Sequence, residues 1–125
     1  MSFNSQSILD SVKKLLGLEF DYTDFDADVT MHINSVFGIL QQMGVGPVIA
    51  YSITDNTQTW SDFSADIDKL ATIKSYIYQK VRLMFDPPAT SFGIIAVEKV
   101  ITEFEFRLSV MGETLAPPSD PFANA

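Results

Sequence analysis

The chain contains no cysteine and a single histidine, His32. Without thiols there is no disulfide, no thiolate nucleophile and no cysteine-ligated zinc, a composition that fits a reducing compartment. With one imidazole, no histidine pair can share a metal. Bases are also scarce. Lys and Arg total 8 against 16 Asp and Glu, a formal net charge of −8. Gripping nucleic acid by its phosphates needs clustered bases, so the charge argues against that mode. Standing beside DNA is not, because an acidic wall repels phosphate and prevents sticking. No hydrophobic run approaches the roughly 18 residues of a membrane span. The opening MSFNSQSILDSVKK has no basic region ahead of an apolar stretch. No signal peptide is expected, and the protein should be soluble and made in the cytosol. Neither GxxxxGK nor GxGxxG occurs, so no phosphate-cradling loop and no cofactor are expected.

What remains is apolar and patterned. Hydrophobic residues make up 46% of 125 residues, enough for one domain that buries roughly two-thirds of its unfolded surface. Ser7 reads as the N-cap of a first helix, with Asp10 at the capping-box position and within reach of Lys13 and Lys14, and with Gly17 as its stop. Val29, Ile33, Val36, Leu40 and Met43 recur at helical spacing and predict a second helix over about Ala27–Met43, widened by Phe37 and capped by Asp24 or Asp26. A third helix is predicted over about Ala65–Phe85 with Ser64 as N-cap. Ile67, Leu70, Ala71, Ile77, Tyr78, Val81, Met84 and Phe85 give it one broad face, which Lys74 alone interrupts, and Ile73, Tyr76 and Leu83 give it a second strip. A helix apolar on two sides is buried on two sides, which makes this one the centre of the fold. Ile94, Val97, Ile101, Phe104, Leu108 and Met111 predict a fourth helix over about Ser91–Met111. Ile95, Val100 and Phe106 lie off its stripe, and Lys99–Glu103 and Glu103–Arg107 are i,i+4 pairs on its wetter side.

Asp86-Pro87-Pro88 forces a corner between the last two helices. Proline disfavours helical geometry at the residue before it and offers no N–H. Thr90 or Ser91 then caps the fourth helix, and so short a connection makes the two helices antiparallel neighbours. Gly44 to Ser61 lack helical pattern. Alternation around Ile49, Tyr51 and Ile53, a turn at Asp55-Asn56 and a return over Thr57–Trp60 suggest either a long functional loop or a small β-hairpin. The fold expected is therefore all-α: a four-helix bundle with that loop or hairpin between the second and third helices. Residues 1–111 form a single helical domain, and residues 112–125, with three prolines, form a tail that is disordered alone.

No constellation of side chains reads as an active site. Asp24-x-Asp26-x-Asp28 begins like a calcium loop, but the glycine and glutamate that such a loop needs are replaced by Val29 and Ser35. His32 has no triad partner in the pattern and reads as a surface or interface residue. The carboxylates have no evident cleft to serve, so enzymatic activity is not expected. The candidate contact residues are Val48, Ile49, Tyr51, Ile53 and Trp60 in the loop region, and Lys80 and Arg82 as a modest basic cluster for an ion-pairing interface. Phe106 adds leftover apolar surface, and Pro117, Pro118 and Phe122 belong to the tail.

Two stretches carry a resemblance. One is Met31–Phe37 with the Gln41–Pro47 end of that helix. The other is Tyr76–Pro88, ending FDPP, with Ser91-Phe92 and Glu103–Leu108. Over Ser7–Met111 the chain resembles the head–tail connector, or adaptor, proteins of long-tailed bacteriophages. The resemblance implies a structural virion protein in the head–tail neck, made in the host bacterial cytoplasm. Its copies would form a homo-oligomeric ring, commonly twelvefold, beneath the portal protein. The ring would extend the DNA channel, let genomic DNA pass without sequence-specific binding, and dock a stopper or tail-completion protein. No catalysis, cofactor or membrane is implied, and no single binding residue transfers. Two other readings stay open: a different neck or tail-completion subunit, or a soluble helical regulator of a cytosolic partner.

Overall fold

Five helices succeed one another in the computed structural model, which describes residues 4–47, 51–64 and 67–115, and at 67–68 and 111–115 the backbone alone. They are α1 (Ile8–Leu15), α2 (Asp26–Gln42), α3 (Trp60–Phe63), α4 (Ile67–Phe85) and α5 (Ser91–Leu115). The packing is serial: α1 lies on α2, α2 on α4, and α4 on α5. The second apolar strip of α4 explains that order. Ile73 and Tyr76 are buried together with Leu70, Ile77 and Val81, so the helix has a neighbour on both sides. Ala71 and Met84, expected on its buried face, are exposed instead. Lys74 interrupts the apolar pattern for a reason: its ammonium lies 5.2 Å from the centre of the Trp60 ring.

The stripe of α2 is buried as its spacing predicts, from Val29 through Ile33, Val36 and Phe37 to Leu40. Its C-terminus closes at Gly44 (φ 78°), where the Gly44 N–H donates to the Gln41 carbonyl and the Val45 N–H to that of Leu40. This left-handed turn satisfies two orphan carbonyls and tucks Val45 into the core. Two residues on, Gly46 (φ 98°) meets the Phe63 ring, which lies 2.6 Å from where a Cβ would stand. Ser7 caps α1 as expected, its hydroxyl accepting from the Asp10 N–H. Asp10 does not pair with Lys13. Lys13, only 2% exposed, reaches Asp26 at the start of α2 (2.8 Å) and donates to the Phe20 carbonyl. Asp26 is thereby taken up as an ion-pair partner, and the N-cap position of α2 falls on Phe25, which makes no side-chain cap bond.

The hairpin expected between α2 and α4 is corrected by the structure, which has no strand among the described residues; Val48 and Ile49 lie outside them. The expected return strand turns the other way. The Ile8 N–H donates to the Gln58 carbonyl and the Trp60 N–H to that of Gln6, a single antiparallel bridge between Ser7 and Thr59. Chain continuity then favours one helical turn, because the Asp62 carboxylate accepts the Thr59 N–H and Trp60 opens α3. Where a partner strand would have served Ile53, the Asn34 amide of α2 serves it instead. Asn34 Oδ1 accepts the Ile53 N–H (2.7 Å) and Asn34 Nδ2 donates to the Ile53 carbonyl (2.9 Å). Gln58 Oε1 similarly accepts from the Thr54 and Asp55 N–H groups.

The proline corner behaves as predicted. The Asp86 N–H closes the last turn of α4 on the Arg82 carbonyl, and Thr90 rather than Ser91 caps α5 by accepting the Gly93 N–H at 3.0 Å. The α5 stripe buries Ile101 and Leu108, with Val97 and Phe104 packed at the margin. The helix does not stop at Met111 but runs through Gly112 to Leu115. Beyond that, the expected tail lies outside the described residues.

Three stability changes follow from these bonds. Replacing Asn34 by alanine strands both backbone groups of Ile53 and costs about 2–3 kcal/mol in chemical denaturation. Lys13→Ala leaves the Asp26 carboxylate without its partner. Because Asp26 is 31% exposed, the loss is about 2 kcal/mol, below the range for a fully buried pair. The Tyr51 hydroxyl is buried with no hydrogen-bond partner. Tyr51→Phe therefore leaves stability unchanged or raises it by up to about 1 kcal/mol, whereas a measured loss of that size would mean that the hydroxyl is bonded in solution.

Candidate assembly surface

Among the described residues no group of His, Cys, Asp and Glu is placed to hold a metal, and no helix is long and apolar enough to cross a membrane. A hollow of about 830 Å³ is an open cleft between α2 and the 54–56 turn, with Asp26, Asn34 and Asp55 in its wall. Each of these is engaged elsewhere: Asp26 by Lys13, Asn34 by Ile53, and Asp55 by the Thr57 N–H and hydroxyl, which hold its carboxyl below the usual carboxylate range. His32, half-buried, lies beside the Phe85 ring at 6.4 Å. The most organised polar group sits between α4 and α5. The Tyr76 hydroxyl donates to Glu105 (2.9 Å) and Lys80 stands 3.7 Å from the same carboxylate. Burial, then the bond to Glu105, push the Tyr76 phenol well above its ordinary range. The cluster ties α4 to α5.

The residues expected to make contacts divide sharply. Ile53 and Trp60 are core, not surface: Ile53 is clamped by Asn34, and the Trp60 indole donates to Ser11 while its ring packs beneath Lys74. Tyr51 is half-buried and stacks edge-on against Phe37 and Phe63. An apolar alternation predicts burial equally well against a helix or against another chain, and here the helix supplies the partner. Lys80 pairs within the chain, and Arg82 is half-buried in the last turn of α4. Phe106 is 72% exposed. Val48, Ile49, Pro117, Pro118 and Phe122 lie outside the described residues.

Phe106 is not alone. Phe92, Ile95, Val100 and Val110 of α5 are exposed beside it. Ile95 and Val100 already fall off the core stripe in the sequence; Phe92 and Val110 extend the same face, and their spacing from Phe106 was the available sign. A second group gathers around the end of α4, where Phe25 packs edge-on against Phe85 and Tyr22 against Phe25, with Met31 and Met84 exposed. Aligned apolar surface of this kind marks contact with another macromolecule.

The phage connector protein family matches the chain over residues 8–114. No curated protein and no solved structure matches it. The family match runs from the start of the Ser7-capped α1 into the last turn of α5. The chain belongs to the phage connector protein family, as a head–tail connector component of the virion.

Proposed function

We propose that copies of this chain form a closed ring, of twelve subunits as such rings commonly are, beneath the portal. The ring extends the DNA channel and presents a platform on which a stopper or tail-completion protein docks. The observation that carries this reading is the family match over residues 8–114. The charge supports it. At −8 the chain suits a conduit through which phosphate must slide without sticking. The fold supports it too, since serial helices with exposed apolar groups on α5 and around the C-terminal end of α4 leave surface for neighbours. The 44–61 loop and the proline-rich residues 112–125 are the segments assigned to neighbours and portal, with Pro117, Pro118 and Phe122 as the tail's anchors. The subunit acts by shape and charge; no reaction and no cofactor enter its role.

The test is assembly. Particles made without the chain should accumulate as DNA-filled heads and separate tails. Electron microscopy of the complete particle should show a ring of this protein between portal and tail. Normal joining of tails in its absence, or its absence from purified virions, would overturn the reading. Within the particle, reversing the loop charge by Asp55→Lys should reduce joining while circular dichroism shows the subunit still folded.

A further inference from the structure

Helix α5 is apolar on two sides, and among the described residues the fold buries one. Its inner stripe packs on α4. Its outer stripe runs Phe92, Ile95, Lys99, Glu103, Phe106 and Val110, at steps of three or four residues. Phe92 is 86% exposed, Phe106 72%, Ile95 53% and Val110 48%. Together they offer on the order of 500 Å² of apolar surface along one helix face, as much as the largest patch on an ordinary monomer, which is commonly functional.

The order of residues along this stripe identifies its occupant. Turned end for end about a point level with Ile101, the stripe meets itself in register. Phe92 falls opposite Val110, Lys99 opposite Glu103, and Ile95 within one residue of the level of Phe106. Every apolar residue meets an apolar one, and each base meets an acid, twice. A parallel arrangement would set Lys99 against Lys99 and Glu103 against Glu103. A shallow hollow lined by Ile95, Glu98, Lys99 and Thr102 lies where the opposing Phe106 ring would seat. Lys99 makes no ion pair among the described residues, because Glu103 bonds Arg107 instead. The face is also neutral, with Lys99 and Arg107 against Glu98 and Glu103, in a chain of net charge −8. It is therefore where two acidic copies can approach with little repulsion.

We propose that the free protein dimerises through this face, two α5 helices packing antiparallel about a two-fold axis with paired Lys99–Glu103 contacts. A two-fold contact closes at two copies. It is distinct from the heterologous contacts of a ring and does not rest on the ring reading. The area is at the low end for specific interfaces, so the dimer dissociates on dilution.

Sedimentation equilibrium of the full chain over a wide concentration range tests this. The expected result is a reversible monomer–dimer equilibrium. Phe106→Glu should abolish the dimer. Lys99→Glu and Glu103→Lys should each weaken it by about tenfold or more, since each sets like charges opposite one another. The double variant K99E/E103K should recover dimerisation to within a few-fold, because both cross-axis pairs are restored in reverse. All three positions are exposed, and unchanged circular dichroism shows that the variants fold. A wild-type chain that stays monomeric to its solubility limit would overturn the proposal. So would a double charge swap that fails to restore pairing, or growth past dimers into rings or ladders without portal.

Discussion

The fold depends on α4 having a helix against each of its two broad sides. Once Ile73, Tyr76, Ile77 and Val81 must all leave water, one neighbour is insufficient. The chain provides α2 from one direction and, by the Asp86-Pro87-Pro88 corner, α5 from the other. The corner matters because it fixes which helix arrives second. With only Pro87 to Thr90 between Asp86 and the start of α5, that helix can return only alongside α4, and Glu105 then comes within reach of both Tyr76 and Lys80.

The described residues between α2 and α4 are held without a strand among them. Buried backbone groups must find partners. The buried Ile53 finds Asn34, while at the exposed turn Gln58 serves Thr54 and Asp55, and Asp62 serves Thr59. The indole of Trp60, bonded to Ser11, ties the same stretch to α1. The described part of this connection is consequently core on one side, at Ile53 and Trp60, and surface on the other.

A connector subunit works by presenting surface, and the clearest surface here belongs to an edge helix. Among the described residues α5 packs broadly on α4 alone, and much of its second apolar stripe is exposed. That condition separates α5 from α4, which has equally mixed apolar character and no exposed broad side. The same property, apolar residues on two faces, yields a core element in the middle of the series and a contact element at its end.

Four of the five helices, the stops of α1, α2 and α4, and the corner were legible in the sequence because these are local, whereas α3 and the end of α5 beyond Met111 were not. The glycine closure at Gly44, the Ser7 cap and the proline break each act within one or two turns. The stripes of α2 and α5 and the double-sided α4 were legible for the same reason. The family resemblance rested on the α2 and FDPP stretches. Tertiary structure decided whatever depended on residues far apart in the chain. Lys13 chose Asp26 over the adjacent Asp10 because burying its ammonium required a carboxylate from another helix. Asn34, a poor helix former in an apolar helix, was the one available hint that a distant backbone would be clamped. Thr59 and Trp60 paired with the N-terminal segment instead of a hairpin partner, since alternation states which side is apolar but not what will cover it. That limit also explains the candidate contacts: Ile53 and Trp60 were covered by the chain's own helices, while Phe106 was left to the solvent.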